Sequence, residues 1–178
     1  MSVCIVSFSF RKSGNCSQIA ALLGSEFTDV KLFDFSDFTI NACGNCSYQC
    51  FSGGNSCPFF ADKEREILDA ITNSSVTYFI VPNYCDFPCS NFFVFNERSL
   101  CYFQNDKKLL TAYLDAPKKF IVISNSNLEN FQTAFAYHTN EQPKILVMSA
   151  KKYGKASADG DMLTSKQAID DLRKFLTK

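Results

Sequence analysis

The segment Ser9-Phe10-Arg11-Lys12-Ser13-Gly14-Asn15-Cys16 carries the strongest chemical signature of the chain. It joins an apolar run, Val3-Cys4-Ile5-Val6, to a helical pattern at Ile19, Ala20, Leu22 and Leu23. Where a first strand hands over to a first helix, backbone N–H groups converge on an anion, and hydroxyls and a guanidinium add donors. The chemistry implied is capture of a phosphate-bearing ligand. An ordinary polar connection capped by Asn15 is the alternative.

A second mixed segment is Pro82-Asn83-Tyr84-Cys85-Asp86-Phe87-Pro88-Cys89-Ser90. Tyr84 and Phe87 offer flat apolar surface, while Asn83 and Asp86 offer hydrogen bonds. A flat conjugated ring held by backbone amides needs such a mixture, and a flavin meets that description. A Pro-rich turn with core-packing aromatics is the plainer reading. The third segment, Ser36 to Ala61, is long for a strand-to-helix connection and holds Cys43, Cys46, Cys50 and Cys57. Four thiolates in one loop can ligate an iron–sulfur cluster or a tetrahedral zinc, or stay free of metal.

The elements that must position these residues follow from periodicity. Strand-length apolar runs lie near Ser2–Ser7, Val30–Phe35, Val76–Val81, Lys118–Ser124 and Lys144–Ser149. Helical patterns fit Asn15–Gly24, Asp62–Thr72, Asn91–Phe103 with an extension over Lys107–Tyr113, Leu128–His138 and Ser165–Leu176. Strands alternating with helices read as a parallel sheet covered on both faces, and 178 residues suit a single domain, 1–178. In such a sheet, ligands sit at the carboxyl ends of strands one and three, where the first two loops fall.

Lysine plus arginine (18) balance aspartate plus glutamate (18), so no net field favours nucleic acid or an anionic membrane. Met1-Ser2 lacks the basic start of a signal peptide, and no stretch has the length and apolarity of a membrane span. Nine cysteines, an odd number, then point to thiols in a reducing compartment, and the expected location is cytoplasmic.

On the motifs Ser9-x-Arg11-x-x-Gly14-Asn15, the cysteine loop, Pro82-x-Tyr84 and Glu97-Arg98, the chain resembles the NADPH-dependent FMN reductase and iron–sulfur flavoprotein branch of the flavodoxin-like superfamily. The resemblance implies a three-layer flavodoxin-like sandwich with a five-stranded parallel sheet of order 2-1-3-4-5. By the family pattern Ser9, Arg11, Ser13, Gly14, Asn15 and Cys16 would hold the FMN phosphate. Pro82, Asn83, Tyr84, Cys85, Asp86 and Phe87 would line the ring, with Ser124, Asn125, Ser126 and Asn127 at its other edge. Cys43-x2-Cys46-x3-Cys50-x6-Cys57 resembles the family's compact [4Fe-4S] motif, though its second gap is one residue longer than usual. Cys16 stands where a hydroxyl commonly serves the phosphate, and a thiol donates weakly.

The activity so implied is hydride transfer from NAD(P)H to FMN and onward to a flavin, quinone or similar small acceptor, the cofactor supplying the chemistry. An electron carrier serving a redox protein, with or without a cluster, is the rival, and a flavin-less domain with structural zinc is a third reading. The only histidine, His138, falls in a helical pattern away from both loops and is expected to be packed or superficial rather than catalytic. Phe92, Phe93, Phe95, Tyr102 and Phe103 make an apolar excess that a homodimer would cover. Glu97-Arg98 reads as a structural ion pair, and Lys151-Lys152-Tyr153-Gly154-Lys155 as a solvated loop.

Overall fold

The computed structural model describes residues 1–44, 46–52, 57–126 and 128–177. Five parallel strands form one sheet: β1 (Ser2–Ser7), β2 (Asp29–Asp34), β3 (Val76–Tyr84), β5 (Lys118–Ile123) and β6 (Lys144–Met148), in the order β2-β1-β3-β5-β6. This is the order expected from the sequence, since the remaining strand, β4 (Phe87–Pro88), is a two-residue antiparallel partner of β3. The helices are α1 (Asn15–Glu26), α2 (Glu64–Thr72), α3 (Ser90–Asn105), α4 (Lys107–Asp115), α5 (Glu129–Ala136) and α6 (Lys166–Leu176). None among the described residues is long and apolar enough to cross a membrane.

The period-two pattern of the strands explains why the sheet is covered on both faces. On β1, β3 and β5 the residues Cys4, Val6, Phe79, Val81, Phe120 and Val122 point into one core with α2 to α5. Their neighbours Val3, Ile5, Tyr78, Ile80 and Ile121 point into another with α1 and α6. Phe8 anchors the first core, its ring centroid 5.1 Å from that of Phe35 and 5.3 Å from that of Phe92. Burying one such ring contributes about 1.5–3 kcal/mol. That core fixes the chain just before the Ser9–Cys16 loop.

Three details differ from the sequence reading. β3 runs three residues past Val81, so Pro82, Asn83 and Tyr84 belong to a strand rather than a loop. The pattern over Asn91–Phe103 and Lys107–Tyr113 is two helices, broken at Asp106, whose φ of −136° and ψ of 89° leave the helical region and whose side chain caps α4 through Leu109 N at 2.9 Å. Glu97 and Arg98 do not pair with each other, because adjacent helical residues face apart. Arg98, fully buried, donates to Asp62 at 2.9 Å and to the Asn41 carbonyl at 2.6 Å, while Glu97 accepts from Cys43 N at 2.9 Å.

Phe92 and Phe95 lie in the core, and Phe93 is left exposed. His138, just past the end of α5, is buried with Nδ1 2.7 Å from the Tyr113 hydroxyl. Burial holds its pKa down, at about 3, so the ring is neutral at ordinary pH.

Candidate functional site

A cavity of about 440 Å³ opens at the carboxyl ends of β1, β3 and β5. Its lining brings together Ser9, Arg11, Gly14, Asn15, Cys16, Pro82, Asn83, Tyr84, Cys85, Asp86, Ser124 and Asn125, twelve residues that the sequence assigned to phosphate and ring. Ser13 and Phe87 are not in that lining. The Ser13 carbonyl accepts from Gln18 Nε2 at 3.2 Å, and Phe87 lines a separate apolar cavity beside Phe92 and Phe93. Asn127 lies outside the described residues. Ser126, also placed at the ring's edge by the resemblance, lies in the lining, and Ile123, Ser157 and Ala158 complete it.

One end of the cavity is built by the start of α1. Gly14 is the N-cap, in extended conformation, and no side chain caps the helix. The first N–H groups of a helix have no partner within it, so those of the buried Asn15 and Cys16 are left for something else. The first-turn dipole favours an anion there, and no acidic residue occupies that turn. Asn15 is not the cap. Its side chain turns away, donating to the Ser157 carbonyl at 3.2 Å and accepting from Met162 N at 3.0 Å. Burial pushes the Cys16 thiol well up, so it stays protonated.

A strap of residues 157–162 closes this end. Arg11 Nη2 donates to the Ala158 carbonyl at 2.6 Å, which orients the guanidinium and leaves its other N–H groups available. Gln18 Nε2 donates to the Gly160 carbonyl. Gly160 has a φ of +73°, and a Cβ there would stand 2.4 Å from the Ser13 carbonyl oxygen. Only glycine lets the strap sit this close. Sequence reasoning missed Ser157 and Ala158 because their contacts run largely through backbone carbonyls some 140 residues away in the chain; the spaced Gly154 and Gly160 were the available signal.

The opposite end of the cavity is a hairpin. Asn83 pairs with Pro88 and Tyr84 with Phe87, leaving Cys85 and Asp86 as a two-residue turn with φ of 52° and 66°. Two consecutive positive values are those of a type I′ turn, which asparagine and glycine usually supply. Without glycine the left-handed conformation costs about 1–2 kcal/mol per residue. Hydrogen bonds hold it: Asp86 Oδ1 accepts from the Ser126 hydroxyl, and Asn130 Nδ2 donates to the Asp86 carbonyl at 3.1 Å. Asn83 Nδ2 donates to the hydroxyls of Ser124 at 2.6 Å and Ser126 at 2.9 Å. Asn83 Oδ1 is buried and has no donor among the described residues. Tyr84 stands beside it, 56% exposed, with a free ring face toward solvent.

The cysteine segment is arranged differently. Among the described residues no group of three or more His, Cys, Asp or Glu side chains is placed to hold a metal ion. Cys43 and Cys46 are half-buried, Cys57 is buried, and Cys50 meets Cys101 of α3 with 3.6 Å between sulfurs. Burial and the Cys50 sulfur push the Cys101 thiol up. Lys152 and Lys155, in the loop after β6, pair with Asp171 at 2.6 Å and Asp161 at 2.9 Å.

No protein-family model matches the chain, and no curated protein matches it in sequence. Solved structures do match over nearly its whole length. The Trp repressor binding protein from Bacillus subtilis superposes with a TM-score of 0.65 at 13% identity, covering 98% of this chain and 97% of that one. Smu.1420 from Streptococcus mutans UA159 gives 0.67 at 11% identity, covering 100% of both chains. FerB, a flavoenzyme NAD(P)H:(acceptor) oxidoreductase from Paracoccus denitrificans, gives 0.56 at 15% identity over 99% and 95%. With the strand order above, these likenesses identify the fold as flavodoxin-like.

Proposed function

We propose, from a flavodoxin-like fold with this cavity at its strand ends, that the protein binds FMN and works as an NAD(P)H-dependent oxidoreductase delivering reducing equivalents to a small acceptor. One observation carries the reading: an uncapped helix start with Arg11 beside it and a buried Asn83 oxygen with no donor among the described residues line the same cavity of about 440 Å³. The first suits a phosphate and the second an N–H on the edge of a conjugated ring, and the volume is that of a small-molecule site.

In this reading the N–H groups of Asn15 and Cys16, the Ser9 hydroxyl and the Arg11 guanidinium hold the phosphate. The 157–158 strap fixes Arg11 and Asn15 beforehand, so little side-chain freedom is lost on binding. Asn83, oriented by Ser124 and Ser126, accepts from the ring, and Tyr84 covers one edge of it. A bound FMN would supply the hydride and electron-transfer chemistry between NAD(P)H and the acceptor. The chain then has no proton to move at the site, which agrees with His138 being sealed in the core, away from the cavity lining. Asp86 brings a carboxylate to the ring side, which opposes added negative charge there and lowers the potential of a bound flavin. FerB, by its description a flavoenzyme NAD(P)H:(acceptor) oxidoreductase, supports this reading through shared fold. The reading uses no metal in the cysteine segment.

The test compares FMN with riboflavin by fluorescence titration of the purified chain, followed by NAD(P)H consumption with ferricyanide as acceptor. FMN is expected to bind at least roughly tenfold more tightly than riboflavin, and Arg11→Ala to remove roughly tenfold to a hundredfold of that affinity. Equal affinity for the two, or no binding of either, refutes the site. Tight FMN binding without turnover refutes the enzymatic part and leaves an electron carrier.

A further inference from the structure

A second cavity, of about 260 Å³, lies on the face of the fold made by α2 and α3, and its lining includes Cys50, Cys57, Arg65, Cys101, Tyr102 and Asn105. The Cys101 thiol donates to the Cys50 sulfur at 3.6 Å, and both residues are buried. They are 51 residues apart in the chain, one in the helical turn Gln49–Ser52 and the other on α3. The Tyr102 hydroxyl is buried and has no hydrogen-bond partner among the described residues. An unpaired buried hydroxyl costs free energy unless some visiting group satisfies it. The cavity therefore joins two thiols in direct contact, 3.6 Å apart, to an unsatisfied donor, in a space that admits a small polar molecule.

We propose that this is a thiol oxidation site, at which a hydroperoxide converts Cys50 and Cys101 to an intramolecular disulfide. It requires nothing of the flavin reading. In the first step, with hydrogen peroxide as oxidant, the Cys50 sulfur attacks one peroxide oxygen; the S–O bond forms, the O–O bond breaks, and the departing hydroxyl takes the Cys50 thiol proton and leaves as water. Tyr102 donates a hydrogen bond to that departing oxygen. In the second step the Cys101 sulfur attacks the Cys50 sulfenic sulfur; the S–S bond forms, the S–O bond breaks, and the hydroxyl leaves as a second water with the Cys101 proton. Two thiols and one peroxide thus give one disulfide and two waters. Cys57 lines the same cavity, but it is the Cys50–Cys101 pair that stands in contact. The bond pins the cysteine segment onto α3, so the oxidant sets how firmly that segment is held.

The test treats the full chain with hydrogen peroxide, blocks remaining thiols with N-ethylmaleimide and maps unreduced peptides by mass spectrometry. The expected product joins the Cys50 and Cys101 peptides with the loss of two hydrogens and is reversed by dithiothreitol. Cys101→Ser is expected to stop at a Cys50 sulfenic acid that dimedone captures, and Tyr102→Phe to slow oxidation roughly fivefold. A cross-link between any other pair, or both cysteines remaining fully alkylated after peroxide, overturns the proposal. An unchanged rate in Tyr102→Phe overturns the tyrosine's part. Because the peptide map is read on the unaltered chain, a variant that fails to fold does not decide the outcome.

Discussion

Replacing Glu64 by glutamine separates a buried acid from every other source of pH-dependent stability in this fold. Glu64 is completely buried on α2, with Oε1 2.7 Å from the Ser99 hydroxyl and Oε2 without a partner among the described residues. Ser99 Oγ also lies 2.8 Å from the Phe95 carbonyl. One hydroxyl proton cannot serve both acceptors, whereas a protonated Glu64 donating to Ser99 leaves Ser99 free to donate to Phe95. Burial pushes the carboxyl from 4.5 up to about 8, outweighing the Ser99 hydrogen bond and the Arg98 charge. Its native value lies above its unfolded one, so the native state holds an extra proton between those limits, and stability is lost as pH rises through them. At about 1.4 kcal/mol per pH unit the full window is worth about 5 kcal/mol, of which about 3 falls between pH 4.5 and 7. His138, held down at about 3, and Lys118, lowered by burial to about 7, bend the absolute curve in the opposite sense, but they are common to both proteins. Wild-type stability in urea unfolding should therefore fall steadily relative to that of Glu64→Gln from pH 5 to pH 8. A difference that does not change with pH would mean that Glu64 is ionised in the native state and refute the reasoning.

Gly160→Ala should cost about 2 kcal/mol or more in denaturant unfolding, because its Cβ would meet the Ser13 carbonyl oxygen at 2.4 Å and its φ of +73° strains any other residue; stability within a few tenths of wild type would show the strap does not need glycine. Cys85→Asn should raise the melting temperature, relieving up to about 1 kcal/mol of left-handed strain at an exposed side chain, and a fall in stability would count against the type I′ turn. The single histidine gives one ring C–H signal by NMR, and burial predicts that it stays flat from pH 5 to 8; a midpoint near 6.5 would place His138 in contact with water.

Much of the site was legible because its chemistry is local. Ser9 to Cys16 reads as an anion site through small side chains, one glycine and one arginine in series, and Pro82 to Asp86 reads as a mixed polar and aromatic segment, although its first three residues extend β3. The strand runs were legible because doubly covered strands are continuously apolar, as Val76–Val81 is. What escaped was what depends on distant partners. Arg98 finds Asp62 on the approach to α2 rather than its neighbour Glu97. Asp86 adopts a left-handed conformation, and among the described residues Ser126 and Asn130 hold it there. The Cys50–Cys101 contact joins a spaced motif to a helix cysteine that no spacing rule links to it.

A full account of hydrogen bonds at the cavity narrows what can occupy it. Asn125 is spent on Ser157 at 2.7 Å and on Ser149 at 2.6 Å, Asn15 on the strap, and the Asn83 amide nitrogen on two serines. These bonds lock the walls together, and each contributes only about 1 kcal/mol net. They satisfy most polar side chains facing the space among the described residues, and the groups left over include the first N–H groups of α1, the Ser9 hydroxyl proton, part of the Arg11 guanidinium and the Asn83 carbonyl oxygen. The residue of donors sits at one end and the residue of acceptors at the other. A ligand that is only an anion would leave Asn83 unsatisfied, and one that is only an aromatic ring would leave the helix start bare. Under the proposed function, the complement is an anionic group, a spacer and a flat ring bearing an N–H, in that order across the carboxyl ends of β1 and β3.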